Sequence, residues 1–283
     1  MLFKTALTAL ILLICPLALC YGQVSFSSVY GERGYSALRG AYTWDLDNNW
    51  ILIPQGAYYR NTDKENEKTG STSRYGLQVG YELSEALLLQ ARGMFQPRAR
   101  GYKGFGYDVG LDWHPFIRHD YWENPVIRMN VGQRHKKAYV DKDDVSLGQP
   151  FKETETFLSL HAGAAIAAWQ VQAVWQKVLQ YSESVPDYLS FSWADVPFMT
   201  AVIQGFIRDA QALRLSYPTD FITPYLSWAR YQYAQAGNPS SAVSAGVHVH
   251  WKEIMFSGGV EVFEPRREAN RRTFFLLSAE KKF

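Results

Sequence analysis

The chain has 283 residues and a net charge of +2; 47% of its residues are hydrophobic and 15% aromatic. A charge this near zero excludes a nucleic-acid partner held by bulk electrostatics. Both cysteines, Cys15 and Cys20, fall in the first 22 residues, which excludes a disulfide framework or a cysteine metal site from the remainder.

Residues 1–22 are expected to be a signal peptide. Lys4 supplies the charge, Ala6 to Leu19 the apolar core, and Cys20-Tyr21-Gly22 a small-residue cleavage site before Gln23. Cleavage after Cys20 is the alternative. Beyond residue 22 no apolar run reaches the ~18 residues of a membrane helix. The apolar content therefore belongs to a large β core or to a membrane barrel. Residues 23–283 read as a single domain with no internal repeat.

Apolar and polar residues alternate along most of that domain, the period of a strand with two different faces. In "RYGLQVGYEL", Tyr75, Leu77, Val79, Tyr81 and Leu83 oppose Arg74, Gly76, Gln78, Gly80 and Glu82. In "GFGYDVGLDWH", Phe105, Tyr107, Val109, Leu111 and Trp113 oppose Gly104, Gly106, Asp108, Gly110, Asp112 and His114. The same pattern returns in "AWQVQAVWQ", "SAGVHVHW" and "IMFSGGVEV". Strands are predicted over 24–31, 33–45, 49–60, 73–83, 86–96, 104–114, 125–134, 154–166, 168–180, 211–217, 221–232, 240–251, 253–263 and 271–283. That is about fourteen, with twelve to sixteen possible. An even number leaves both chain ends on one side.

Short connections such as "LSEA" and "KE" alternate with longer ones such as "NTDKENEKTGST" and "RHKKAYVDKDDVSLGQPFK". Trp44, Trp50, Trp113, Trp122, Trp169 and Trp251 fall beside the short-turn end. Tyr30, Tyr58, Tyr75, Phe95 and Phe105 fall near the other end. Two aromatic belts around an aliphatic band are what the two interfaces of a bilayer select. The glycine and aspartate face of 104–114 then lines a lumen, where Gly110 is expected to accept a serine.

One segment has helical spacing. In "DVPFMTAVIQGFIRDA" the apolar residues stand at 198, 199, 202, 203, 206, 207 and 210, after Asp195 as N-cap and Pro197 in the first turn. A short amphipathic helix in an extracellular loop, a plug in the lumen and an extra strand pair all remain open for 195–210.

These features resemble the Gram-negative outer-membrane β-barrel class, porin-like, over essentially the whole of 23–283. The resemblance implies an all-β, transmembrane, antiparallel up-and-down barrel in the cell outer membrane, embedded in lipid and lipopolysaccharide. It also makes Phe283 an assembly signal read by the barrel assembly machinery, following Ala279, Leu277 and Phe275 at alternate positions. Lys281 departs from the pattern, since an apolar residue is usual there. The size is similar to fourteen-stranded monomeric porins and to outer-membrane phospholipase A.

The lumen charges are the first candidate site. Pairing Phe95 with Phe105 sets Arg92 opposite Asp108, and pairing Trp113 with Ile127 sets Asp112 opposite Arg128. Gln78 then neighbours Arg92. This ladder is either a structural network or a constriction that filters solutes by charge. The second candidate is basic: Arg98, Arg100, Lys103, Arg134, Lys136, Lys137, Arg266, Arg267, Arg271 and Arg272 near extracellular loops or strand tips, placed to meet lipopolysaccharide phosphates or to gather anionic solutes. His161, His248 and His250 face the lumen. His248 and His250 lack a third metal ligand. Ser159 and His161 share a face but lack an orienting group for a nucleophile. The sequence supports a channel for passage or export of small hydrophilic solutes, without cofactor or metal. A structural or assembly-partner barrel with a filled lumen and a lipid-modifying hydrolase are the alternatives.

Overall fold

The computed structural model describes residues 22–46, 49–61, 70–99, 102–115, 122–138, 151–181, 206–234, 239–264 and 271–282. They form fourteen strands in one closed antiparallel barrel, each paired with its neighbours in chain order and β1 with β14. The strands are β1 Gly22–Gly31, β2 Ser36–Leu46, β3 Trp50–Asn61, β4 Gly70–Ser84, β5 Leu87–Ala99, β6 Tyr102–Trp113 and β7 Trp122–Ala138. They continue as β8 Phe151–Ile166, β9 Trp169–Tyr181, β10 Ile207–Ser216, β11 Ile222–Tyr233, β12 Ser240–Trp251, β13 Ile254–Glu264 and β14 Arg272–Lys282. Closure leaves no unpaired sheet edge, which a strand in hydrocarbon cannot tolerate.

Strand pairing begins at Gly22, whose partner is Trp44 on β2. The expected signal peptide, apart from that residue, and Phe283 lie outside the described residues.

Period-two alternation sorts every strand into two faces. Outside stand Leu77, Val109, Leu111, Val131, Leu160, Leu213, Val243, Val260 and Leu277, an aliphatic band. Trp44, Trp50, Trp113, Trp169 and Trp251 all sit on that outer face at the short-turn end, paired with Leu52, Leu46, Ile127, Ile166 and Ile254. Tyr30, Tyr58, Tyr75, Phe95 and Phe105 are exposed on the outer face toward the opposite rim. This sorting by height has no purpose in water and follows from the polarity of bilayer interfaces. Three links of two or three residues at the short-turn end place Asn49, Ala167 and Lys252 at positive φ, 66°, 52° and 55°, the left-handed backbone that a tight hairpin demands.

Two expectations change. For the stretch 195–210 a loop helix, a lumen plug and an extra strand pair were open. Residues 195–205 lie outside the described residues, but 207–210 open β10 as strand. A bulge between Ile207 and Asp209 accounts for the spacing of the last two apolar positions, 207 and 210. The extra residue turns both Ile207 and Ala210 into the lumen, although their separation is odd. The ladders to β9 and β11 then satisfy a backbone that propensity alone would have coiled.

The second change is at β7, which runs on to Ala138 against β8 from Phe151. Lys136 and Lys137 are therefore strand residues, not loop residues, and Arg134, expected at the strand tip, lies well inside β7.

Candidate functional site

The lumen wall of β4 to β8 carries most of the charge. Its registers set Phe95 against Phe105, Arg92 against Asp108, and Asp112 against Arg128. Arg92 donates to Asp108 through Nε at 2.9 Å, with Nη2 also 2.9 Å from the same oxygen. Arg128 grips Asp112 with Nε at 2.7 and 2.8 Å from the two carboxylate oxygens and Nη2 at 2.5 Å from one of them. Gln78 is the backbone partner of Arg92, yet its amide turns aside and donates to Gln90 Oε1 at 2.6 Å. Gln90 in turn donates to Asp112 Oδ1 at 2.5 Å. Gln90 thus joins Gln78 to the Asp112–Arg128 pair. It sits two residues before Arg92 on the same face, so alternation alone points to it.

A second cluster lies higher on this wall, toward the long-loop rim. Lys136 bonds to Glu155, and Arg134 Nη1 lies 3.7 Å from the other oxygen of Glu155. Lys136, Glu155 and Glu153 keep 2%, 1% and 0% of their surface exposed. The guanidinium of Arg134 lies 3.9 Å over the Phe157 ring, and the Lys136 ammonium 4.7 Å over Phe206. This corrects the basic-loop assignment. Arg134 and Lys136 point into the lumen because they continue the inward series Arg128, Asn130, Gly132. Glu153 escaped notice for the matching reason, since β8 starts earlier than 154; Glu155 lay inside the predicted strand, and both precede Phe157 and Ser159 on the inward face.

Glycines make room for these long side chains. Arg134 pairs across with Gly106, Lys136 with Gly104, and Asp108 with Gly132. A Cβ on Gly132 would come within 2.6 Å of Asp108 Cβ and 2.8 Å of its Cα, so the two backbones approach as only glycine permits. Gly110 does not offer the free space expected of it. A Cβ there would overlap the Asn130 amide and lie 3.0 Å from the Met129 carbonyl.

The remaining basic candidates are dispersed. Lys103 on β6 and Lys137 on β7 are exposed on the outer face. Arg271 is exposed just before β14, and Arg272 opens β14 opposite Phe263. Arg98 belongs to β5, but its side chain lies outside the described residues, as do Arg100, Arg266 and Arg267.

The histidines line other parts of the lumen. His161 stands beside Arg128 on β7 and Val174 on β9. His248 Nδ1 is 2.6 Å from Ser257 Oγ, and its ring stacks on Tyr225 at 4.8 Å between centroids. Arg214 covers the same Tyr225 ring at 4.6 Å and donates to Ser227 at 2.9 Å. His250 lies one step nearer the short turn, opposite Met255. Among the described residues no three His, Cys, Asp or Glu side chains converge to hold a metal. Ser159 accepts from Asn130 Nδ2 at 3.3 Å.

On the wall from β9 round to β3, the long-loop half of the lumen is largely apolar, with Arg39 on β2 and the buried Glu261 on β13 set into it. Val29, Ala37, Tyr59, Ala212, Ala229, Tyr231, Phe263 and Phe274 pack there as one buried cluster. The lumen is thus two-sided, with a hydrogen-bonded charged wall facing an aromatic and alanine wall.

The Arg92–Asp108 pair gives a first expected outcome. Asp108→Asn leaves the guanidinium partly uncompensated and destabilises the barrel, and adding Arg92→Gln recovers most of the loss. A double-mutant cycle on urea unfolding in detergent should return a coupling above ~0.5 kcal/mol. Additive single effects would show that the two groups do not support each other.

No family profile and no curated protein sequence matches this chain. Solved structures do. CdiB from Acinetobacter baumannii superposes with a TM-score of 0.52 at 7% identity, over 92% of this chain and 59% of CdiB. This chain therefore spans little more than half of that protein's length. The Pseudomonas putida toluene transporter TodX gives a TM-score of 0.49 at 11% identity, over 92% of this chain and 87% of TodX. The KdgM porin in complex with disordered oligogalacturonate gives 0.43 at 6% identity, over 92% of this chain and 99% of KdgM. At these identities the likeness is one of fold.

Proposed function

We propose that this chain is an outer-membrane channel that passes small hydrophilic solutes. The observation that carries this reading is the polar wall of β4 to β8. A continuous series of hydrogen-bonded side chains, from Gln78 through Gln90 and Asp112 to Arg128, faces the interior of a closed barrel whose exterior is apolar. A polar interior behind a lipid-facing band suits water and dissolved solutes. Residues 1–22 act in this reading as the export signal, Phe283 as the assembly signal, and the exposed Lys103, Lys137 and Arg271 as contacts for lipopolysaccharide phosphates.

The second reading is a structural barrel with a filled lumen. The buried cluster around Tyr59, Tyr231 and Phe274 favours it, because those side chains narrow the long-loop half. Planar-bilayer recording of the refolded full chain separates the two. The channel reading expects discrete ohmic steps in potassium chloride. A folded, heat-modifiable barrel that stays silent over repeated insertions would replace the channel with the structural barrel.

A further inference from the structure

The short-turn half of the lumen carries a row of polar groups outside the charge ladder. Ser27 of β1 pairs with Ser278 of β14, and Ser278 with Ser257 of β13. Ser257 pairs in turn with His248 of β12, and His248 with Thr223 of β11. Direct partners share a face, and this face is the lumen. Val29 of the buried cluster stands two residues beyond Ser27, and the exposed Leu277, Phe256, Val249 and Ile222 sit next to the other members on the lipid side. The row therefore crosses adjacent strands at intervals of about 4.7–4.9 Å. It contains hydroxyls and one imidazole, and no Lys, Arg, Asp or Glu.

Tyr225 adds a phenol beside the row. A Cβ on either Gly246 or Gly259 would overlap its hydroxyl, so the ring lies flat over both glycines. The His248 ring stacked on one part of it and the Arg214 guanidinium over another hold it there. Ser27 and Ser278 keep part of their surface open to the lumen. The wall is low here, because serine and glycine reach little way inward. Across from it stands the charge ladder, since β6 and β13 are half a circuit apart in the closed barrel. A circular barrel of this strand number and a tilt of about 40° measures about 28 Å between opposite backbones. The ladder's long side chains fill one side of that width and leave the other. Their charges are paired, Arg92 with Asp108 and Arg128 with Asp112. The cluster around Tyr59, Tyr231 and Phe274 narrows the lumen toward the long loops, so this space opens at the short-turn end. Glu280 and His250 stand one step nearer that end than Ser278 and His248.

The geometry points to a binding site for a neutral polyhydroxylated solute, a sugar or polyol, along Ser27, Ser278, Ser257, His248 and Thr223 beside Tyr225. Each hydroxyl donates one hydrogen bond and accepts others, so the row suits a partner that does both at many points. An apolar solute would strip water from the row without replacing its hydrogen bonds. An ion would lose hydration there and meet no opposite charge in the row to offset the loss. The proposal rests on the channel reading and names the class of solute that dwells in the lumen.

The test uses the refolded full chain in detergent. Saturation-transfer NMR is recorded during titration with sucrose, maltotriose or potassium gluconate, the last being a polyhydroxylated anion. Direct binding is read because sugars raise unfolding midpoints without a site, by exclusion from the protein surface. The expected result is a saturable signal with sucrose, maltotriose or both, and a weaker one with gluconate. Ser27→Ala and Ser278→Ala should each weaken the affinity roughly threefold to fivefold, and the double variant by about tenfold or more. Ser28→Ala makes the same change on the outer face of β1, beside the exposed Leu277, and should bind as the parent does. The heat-shifted gel band confirms that each variant is folded. No saturable signal with either sugar, tighter binding of gluconate, or parental affinity in the folded double variant overturns the site. Bilayer recording keeps the two readings apart. Sugar binding in a silent barrel supports the site and removes only the channel, whereas conductance without sugar binding removes only the site.

Discussion

Glu155→Gln is expected to destabilise the barrel by about 3–5 kcal/mol, the cost of breaking a buried ion pair from one side. The substitution nearly preserves shape, so the loss is electrostatic. Lys136 and Arg134 both lean on Glu155, and Lys136 is almost fully enclosed. Without that carboxylate, one acid, Glu153, remains on β8 beside two bases. Water does not reach the ammonium, since Lys136 is 2% exposed and its Nζ lies against the Phe206 ring. Adding Lys136→Met should return much of the loss, since an unbranched apolar chain replaces the orphaned charge. Urea unfolding in micelles measures both. A loss below ~1 kcal/mol for Glu155→Gln would mean that water reaches the cluster and screens it as it does a surface pair.

Val109→Arg is expected to cost about 2–4 kcal/mol and to lower the yield of folded barrel, the penalty for a guanidinium on the lipid face near mid-bilayer. Val109 is exposed on the outside, between Ala91 of β5 and Val131 of β7, with no acid beside it. The matching control is Ser25→Arg. It carries the same side chain into the lumen, directly across from Glu280 on β14, and should assemble normally. The heat-shifted gel band of the folded barrel reports both. Equal yields would show that the two faces had been exchanged. Gly110 is not a neutral control, because the Asn130 amide fills the space a side chain would need.

The strand reading of the sequence and the structure agree closely, and the reason is the bilayer. A strand with lipid on one side and a lumen on the other must alternate without exception, so the pattern of "GFGYDVGLDWH" is undiluted by the compromises of a soluble core. Registers were legible for a related reason. A slip by one residue would drive Arg92 or Asp112 into hydrocarbon, so matching aromatic to aromatic on the outer face left few competitors. The pairs Arg92–Asp108 and Asp112–Arg128 follow directly from that constraint.

Strand ends were less legible. Near the rim both faces become polar, and "RHKKA" reads as loop because alternation between charge and charge leaves no periodic signal. Lys136 was misplaced and Glu153 overlooked for this reason, both lying beyond the predicted strand ends. The bulge at Ile207 shows a second kind of ambiguity. One extra residue shifts the inward set by one, and a strand then imitates the spacing of a helix.

The sequence by itself determined that this chain closes into a membrane barrel of about fourteen strands, and which face of each meets lipid; the closed structure fixed the number at fourteen. Those follow from periodicity and from the height of each aromatic along its strand, both local quantities. Only the tertiary structure decided which lumen groups meet. Gln78 bonds to Gln90 rather than to its register partner Arg92, and Arg39 and Arg74 reach the Tyr59 ring from the two strands that flank it. The contents of a lumen depend on curvature, on side-chain reach across strand gaps, and on where a glycine or alanine leaves space. Closure of the sheet sets all three, and no window of the sequence contains them.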